Sequence, residues 1–153
     1  MATQAEGARV EVWWRFMAAH ALLVERVGRN LAAASSLPLS SYNVLRLLHE
    51  APGSRLRLSQ LARAVHLTRS GATRLTDRLE KAGLLGREDH ARDRRGSCAV
   101  LTDRGREELR RARRVVVRAI AEHFGSYLSD AETEMLNAIL SRMVKAEKGA
   151  DYQ

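Results

Sequence analysis

Two short patterns meet in the segment Ser59–Ala82: LSQLARAVH, which opens on Leu58, and TRSGATRLTDRLEKA, which opens on Thr68. In the first, Leu58, Leu61, Ala62 and Val65 recur at i, i+3, i+4 and i+7, the single apolar stripe of an amphipathic α-helix. In the second, Ala72, Leu75, Leu79 and Ala82 make another such stripe. Successive residues advance about 100° around a helix, so the opposite face carries Arg69, Ser70, Thr73, Arg74 and Asp77. That face is basic and dense in hydrogen-bonding groups. Two short helices joined tightly at His66 and Leu67, the second with such a face, predict a helix-turn-helix whose second member can enter the major groove of a DNA duplex.

The flanking residues extend this unit. Ser59 and Thr68 suit the N-caps of the two helices, and Gly83 suits a C-cap in the left-handed region. Gly71 costs up to about 1 kcal/mol inside a helix relative to alanine; its bare Cα suits close approach of DNA or of the neighbouring helix, or is merely tolerated. Leu84–Arg87 and Ser97–Leu101 read as two strands, and Ser54–Arg57 as a link with room for a third. Between the two strands lies EDHARDRRG, nine residues where a tight hairpin needs two. A projecting Arg-rich hairpin directly after a helix-turn-helix is a wing, and Arg92, Arg94 and Arg95 are placed to reach phosphates or the narrow minor groove. A solvated charged loop is the plainer alternative for any one of them. Asp77 is expected to pair with Arg74, Lys81 or a wing arginine, and the sequence does not choose among them.

Outside this lobe the chain is helical. Residues from about 8 to 35 follow helical spacing through Val12, Trp13, Phe16, Met17, His20, Leu23, Val24, Val27 and Leu31. Adjacent Trp13 and Trp14 must point apart, one to the core and the other to an interface or a pocket. So wide an apolar stripe exceeds what one partner helix covers, and part of it is expected on a second subunit. Leu37-Pro38-Leu39-Ser40 interrupts the pattern, with Ser40 as the expected cap of a second helix that Pro52-Gly53 ends. Thr102 is placed to cap a long helix from Asp103 to about Phe124, and Ser129-Asp130-Ala131-Glu132 reads as the capping box of a last helix. The fold class expected is mainly α with a small β-hairpin wing: six helices in a single domain over 1–153. Residues 40–101 form the winged helix-turn-helix lobe, and residues 8–36 and 103–147 supply dimerisation helices.

Composition narrows the function. A net charge of +8 favours a polyanionic partner, and eleven Arg and Lys against five acids between Arg55 and Arg95 concentrate the excess on the helix-turn-helix and its wing. That concentration argues against a winged-helix module that contacts only other proteins, the alternative reading. The single cysteine, Cys98, excludes an internal disulfide and a Cys-rich zinc site and suits a reducing cytoplasm. No apolar run is long enough to span a membrane, and no secretory signal opens the chain. There is no phosphate-binding glycine loop, no nucleophile elbow and no metal-binding histidine pair among His20, His49, His66, His90 and His123. Neither an enzyme, nor a cofactor, nor a metal site is expected.

The order helix, helix, helix-turn-helix, wing, two helices resembles the MarR family of winged helix-turn-helix transcription regulators. TRLTDRLEKAGLLGRE followed by RDRRGSCAVLTDRG looks like its signature, with Asp93, Arg94 and Arg95 on its Asp-x-Arg wing and Leu101-Thr102-x-x-Gly105 on its exit into the next helix. The resemblance covers about Val12 to Lys145. It implies a homodimer held by the first and last two helices, a pseudo-palindromic operator with half-sites about 10 base pairs apart, and repression relieved by a small aromatic or anionic effector. By this likeness Ser70, Thr73 and Arg74 contact bases or phosphates and Arg95 enters the minor groove, and Arg69 and Arg94 join them on charge. Asp93 is better suited to orient Arg95 than to touch DNA, because a carboxylate beside phosphate is repelled. The family's pocket lies among the first, second and fifth helices, which makes Trp14, Arg15, His20, Tyr42, Arg46 and His49 the candidate effector-binding residues. Each has an ordinary alternative as a core or surface residue.

Overall fold

A computed structural model describes residues 3–65, 67–89 and 97–150. The wing tip, with Arg92, Asp93, Arg94 and Arg95, lies outside the described residues, as do His66 and His90. The elements run α1 (Gln4–Ala34), α2 (Leu39–Glu50), β1 (Arg55–Arg57), α3 (Leu58–Ala64), α4 (Arg69–Lys81), β2 (Leu85–Asp89), β3 (Ser97–Leu101), α5 (Asp103–His123) and α6 (Asp130–Ala150). The fold is mainly helical with a small sheet, as the sequence predicts. The link before α3 does supply a third strand: β1 pairs antiparallel with β3, which pairs antiparallel with β2, in the order β1-β3-β2.

Three of the expected caps form. The Thr68 hydroxyl accepts from Gly71 N at 3.1 Å and the Thr102 hydroxyl from Gly105 N at 3.0 Å. At the last helix Ser129 N donates to the Glu132 carboxylate at 2.8 Å, and the Ser129 hydroxyl bond holds that carboxyl below its usual range. Two expected caps do not. Ser59 lies inside α3, because Gln60 Oε1 accepts from Arg57 N at 3.1 Å and moves the cap two residues earlier, to Arg57. Ser40 lies inside α2, which starts at Leu39 after Pro38, a residue whose ring fixes φ at −63° and whose missing N–H needs no partner. The first helix also begins earlier than expected, at a capping box of Thr3 and Glu6.

The core gathers Leu31, Leu45, Leu48, Leu61, Leu75 and Leu85 around α2, with Ala112 and Val116 of α5 closing one side. Among the described residues, every buried side chain lies between Val27 and Ala119. The apolar stripe of α1 therefore reaches the core only in its last turns. Trp13 and Trp14 are 51% and 65% exposed, so neither points to the core as one was expected to. Val12, Phe16 and Leu22 are bare beside them, as are Met135, Ile139 and Met143 on α6. No helix among the described residues is long and apolar enough to cross a membrane.

One junction fixes the lobe to α5. Gly83 takes φ 70° past the end of α4, and its carbonyl accepts from the Thr102 hydroxyl at 2.8 Å. In the first turn of α5, Gly105 sits so close to the Leu84 carbonyl that a Cβ there would lie 2.0 Å from its oxygen.

Candidate nucleic-acid interface

The division of α4 into two faces follows from its sequence and is realised in its packing. Ala72, Leu75, Thr76 and Leu79 are buried, while Arg69, Ser70, Thr73 and Arg74 are all exposed. The structure thus brings together on one outward surface the four recognition-helix residues singled out by sequence. Arg69 and Arg74 have no partner among the described residues, so their guanidiniums are uncommitted. The Ser70 hydroxyl lies 3.2 Å from the capping Thr68 hydroxyl, and Thr73 donates its hydroxyl proton to Arg69 O at 2.9 Å. Arg94, Arg95 and Asp93 belong to the tip outside the described residues.

Two arginines of this region were not singled out by sequence. Arg78 is exposed one turn beyond Arg74 and continues its basic flank. Arg87, on β2, is the partner of Asp77: its Nη2 bonds the Asp77 carboxylate, and its Nε lies 3.1 Å from Glu80. Of the partners foreseen for Asp77, a wing arginine is the one found, on the strand of the wing and not in its loop. The clue available in sequence was an inward position on a wing strand occupied by a cation, which requires a counter-charge on the helix below it.

Behind the lobe, α1, α2 and α5 enclose a cleft of about 380 Å³, walled by Val27, Leu39, Ile120 and Phe124 and edged by Tyr42 and Arg46. Burial raises the pKa of the Tyr42 phenol above 10.0, against the pull of the Arg46 and Arg113 guanidiniums. Arg46 also pairs with Glu50 at 2.7 Å. The other four effector candidates do not line this cleft. Trp14 and Arg15 lie further toward the N-terminus on exposed α1, Arg15 paired with Glu11, while His20 stacks on Phe16 at 6.3 Å and His49 is exposed on α2.

A model described as the MarR family matches residues 37–97. Over 119 residues, 78% of this chain and 70% of the relative, the chain is 30% identical to a candidate transcriptional regulatory protein for the hcr operon of Thauera aromatica. A MarR family transcriptional regulator from Streptomyces coelicolor, solved in complex with DNA, is 33% identical, with a TM-score of 0.81 over 95% of this chain and 93% of that one. A MarR family protein of Mycobacterium tuberculosis, solved in complex with p-aminosalicylic acid, is 28% identical, with a TM-score of 0.68 over 85% of this chain and 95% of that one.

Proposed function

The chain belongs to the MarR family, whose members are DNA-binding transcriptional regulators rather than enzymes, and from that premise we propose that it is a ligand-responsive repressor acting as a homodimer on a pseudo-palindromic operator. The observation that carries the DNA reading is the outward basic face of α4 with its two uncommitted guanidiniums. Arg69 and Arg74 take phosphates or guanine edges, which accept hydrogen bonds. Thr73 has its proton engaged by Arg69 O, so it meets a base as an acceptor, from an adenine or cytosine amino group, or through its methyl against thymine. Ser70 completes this set, with Arg94 and Arg95 reaching the minor groove and Asp93 orienting Arg95.

Surface area supports the homodimer. A compact monomer of 17.1 kDa exposes about 7,800 Å², whereas this chain exposes 11750 Å². The surplus of about 4,000 Å² leaves room for an extensive subunit contact, and the first half of α1 and α6 carry exposed apolar side chains, among them Trp13, Trp14, Phe16, Met135 and Met143. A second copy offering the same two helices covers them with two-fold symmetry. The cleft supports the effector: its size suits a small molecule, its walls are apolar, and Tyr42 and Arg46 at its edge favour an aromatic acid. Selection of bound sequences from random duplex DNA, with and without a panel of aromatic acids, tests the whole reading. A pseudo-palindrome whose recovery falls with one of the acids is expected; recovery of no sequence above background overturns it.

A further inference from the structure

Arg87 stands on β2 opposite Ala99 and reaches back to α4. Its Nη2 bonds the Asp77 carboxylate and lies 3.3 Å from the Thr76 hydroxyl, while Nε lies 3.1 Å from the Glu80 carboxylate as an ion pair without the geometry of a hydrogen bond. The guanidinium side chain is only 28% exposed, less than either acid. Thr76 is itself buried and held, with its hydroxyl 3.0 Å from Ala72 O and 2.9 Å from Thr73 O. Among the described residues this is the charged tie between the helix and the sheet.

We infer that Arg87 is a positioning residue for DNA recognition: by holding Asp77 and Glu80 it sets the angle between α4 and the base of the β2–β3 hairpin, and it neutralises carboxylates that otherwise face a polyanion. The inference rests on the reading that the outward face of α4 meets the duplex. A planar guanidinium suits the task because its Nη2 bonds both Asp77 and Thr76 while its charge lies 3.1 Å from the Glu80 carboxylate, an arrangement that a lysine ammonium on a flexible stem does not reproduce. Arg87 so engaged contributes little free charge to the duplex. Its role is to make helix and hairpin one rigid body, so that both grooves are met in register. Asp77, although an acid beside the DNA-facing residues, thereby favours binding.

The experiment measures operator and random-duplex affinity across a salt series for Arg87→Gln, Arg87→Lys, Asp77→Asn, the double variant Arg87→Gln with Asp77→Asn, and Arg74→Ala. Asp77→Asn and Arg87→Gln are each expected to weaken operator binding by roughly fivefold to tenfold, with the double variant no weaker than the worse single one. Arg87→Lys is expected to fall with them rather than with the wild type. The salt slope stays at the wild-type value for all Arg87 and Asp77 variants, whereas Arg74→Ala lowers it by about one unit per protomer. Tighter binding of Asp77→Asn to both DNAs overturns the inference, because Asp77 is then a plain repulsive charge. A reduced salt slope for Arg87→Gln overturns it too, because Arg87 is then a phosphate contact. If Arg74→Ala leaves operator binding unchanged, the reading of α4 fails; if it weakens binding while the Arg87 and Asp77 variants do not, only the Arg87 inference fails. Melting curves at fixed protomer concentration check folding, and Asp77→Asn, at a partly exposed site, carries the test where an Arg87 variant melts early.

Discussion

Replacing Gly105 by alanine tests how firmly the DNA-binding lobe is fixed to α5. The new Cβ would lie 2.0 Å from the Leu84 carbonyl oxygen and 2.8 Å from Leu101 Cδ1. The leucine methyl can turn aside, but the carbonyl belongs to the backbone just past Gly83 and cannot. Relief therefore requires the first turn of α5 to withdraw by about 1 Å, away from the bond between the Thr102 hydroxyl and Gly83 O, now 2.8 Å. Overpacking of this kind costs about 1 to 3 kcal/mol, and loss of the hydroxyl bond adds about 1 kcal/mol. The better helix propensity of alanine returns at most about 1 kcal/mol. A net loss of roughly 1 to 3 kcal/mol lowers the midpoint of a chain this size by about 2 to 12 °C. The assay is thermal unfolding by circular dichroism at fixed protomer concentration, since oligomerisation makes the midpoint concentration-dependent. Gly7→Ala is the control: it adds a Cβ with nothing within 4 Å on the same kind of helix and should leave the midpoint unchanged or slightly raised. If Gly105→Ala melts with Gly7→Ala, the close junction between α5 and the end of α4 is not present in solution.

Three further outcomes are expected. Arg95→Ala should weaken operator binding by about 1 to 3 kcal/mol at fixed salt while leaving the oligomeric state intact; equal affinities in a titration would remove the wing tip from the interface. Truncation before Leu23 deletes Trp13, Trp14 and Phe16 with the exposed half of α1 and should give monomers or aggregates, so a well-behaved dimer by light scattering would place the subunit contact elsewhere. Burial raises the Tyr42 phenol above 10.0, so the unfolded chain ionises first: the stability it contributes is full below about pH 10 and is lost as pH rises through the folded value. Tyr42→Phe should therefore lose less stability than the wild type on going from pH 9 to pH 11, and parallel alkaline limbs in the melting curves would show that Tyr42 is not buried in this way.

What was legible in the sequence was whatever depends on one element at a time. The two faces of α4 follow from helical period alone, and Thr68, Thr102 and Ser129 cap as their positions suggest because each needs only a neighbour three residues on. Ser40 and Ser59 show where the same logic fails: a serine is a good cap in general, but Pro38, and Arg57 held by Gln60, each take the capping position two residues before it. The cleft was half legible. Tyr42 and Arg46 were marked by their polar ends, whereas its apolar walls come from Val116, Ile120 and Phe124 on a helix about seventy residues away in sequence, and which turn of α1 faces them is decided by packing. That turn is Leu23–Val27, beyond Trp14, Arg15 and His20.

Charge shows the same division between counting and geometry. The sum of basic and acidic residues from Arg55 to Arg95 treats every arginine as free to meet a phosphate. The structure separates them. Arg55 is paired with Glu88 at 3.0 Å and Arg87 with Asp77 and Glu80, so both are largely neutralised within the sheet and its contact with α4. Arg69, Arg74 and Arg78 keep their charge at the surface of α4. Since the energy of a screened ion pair falls within about 8 to 10 Å at ordinary ionic strength, the field met by a duplex is set by these uncommitted groups and not by the total. The acids of the segment then have a constructive place. Asp77, Glu80 and Glu88 hold the arginines that build the platform, and the basic groups left over on α4 face outward from it.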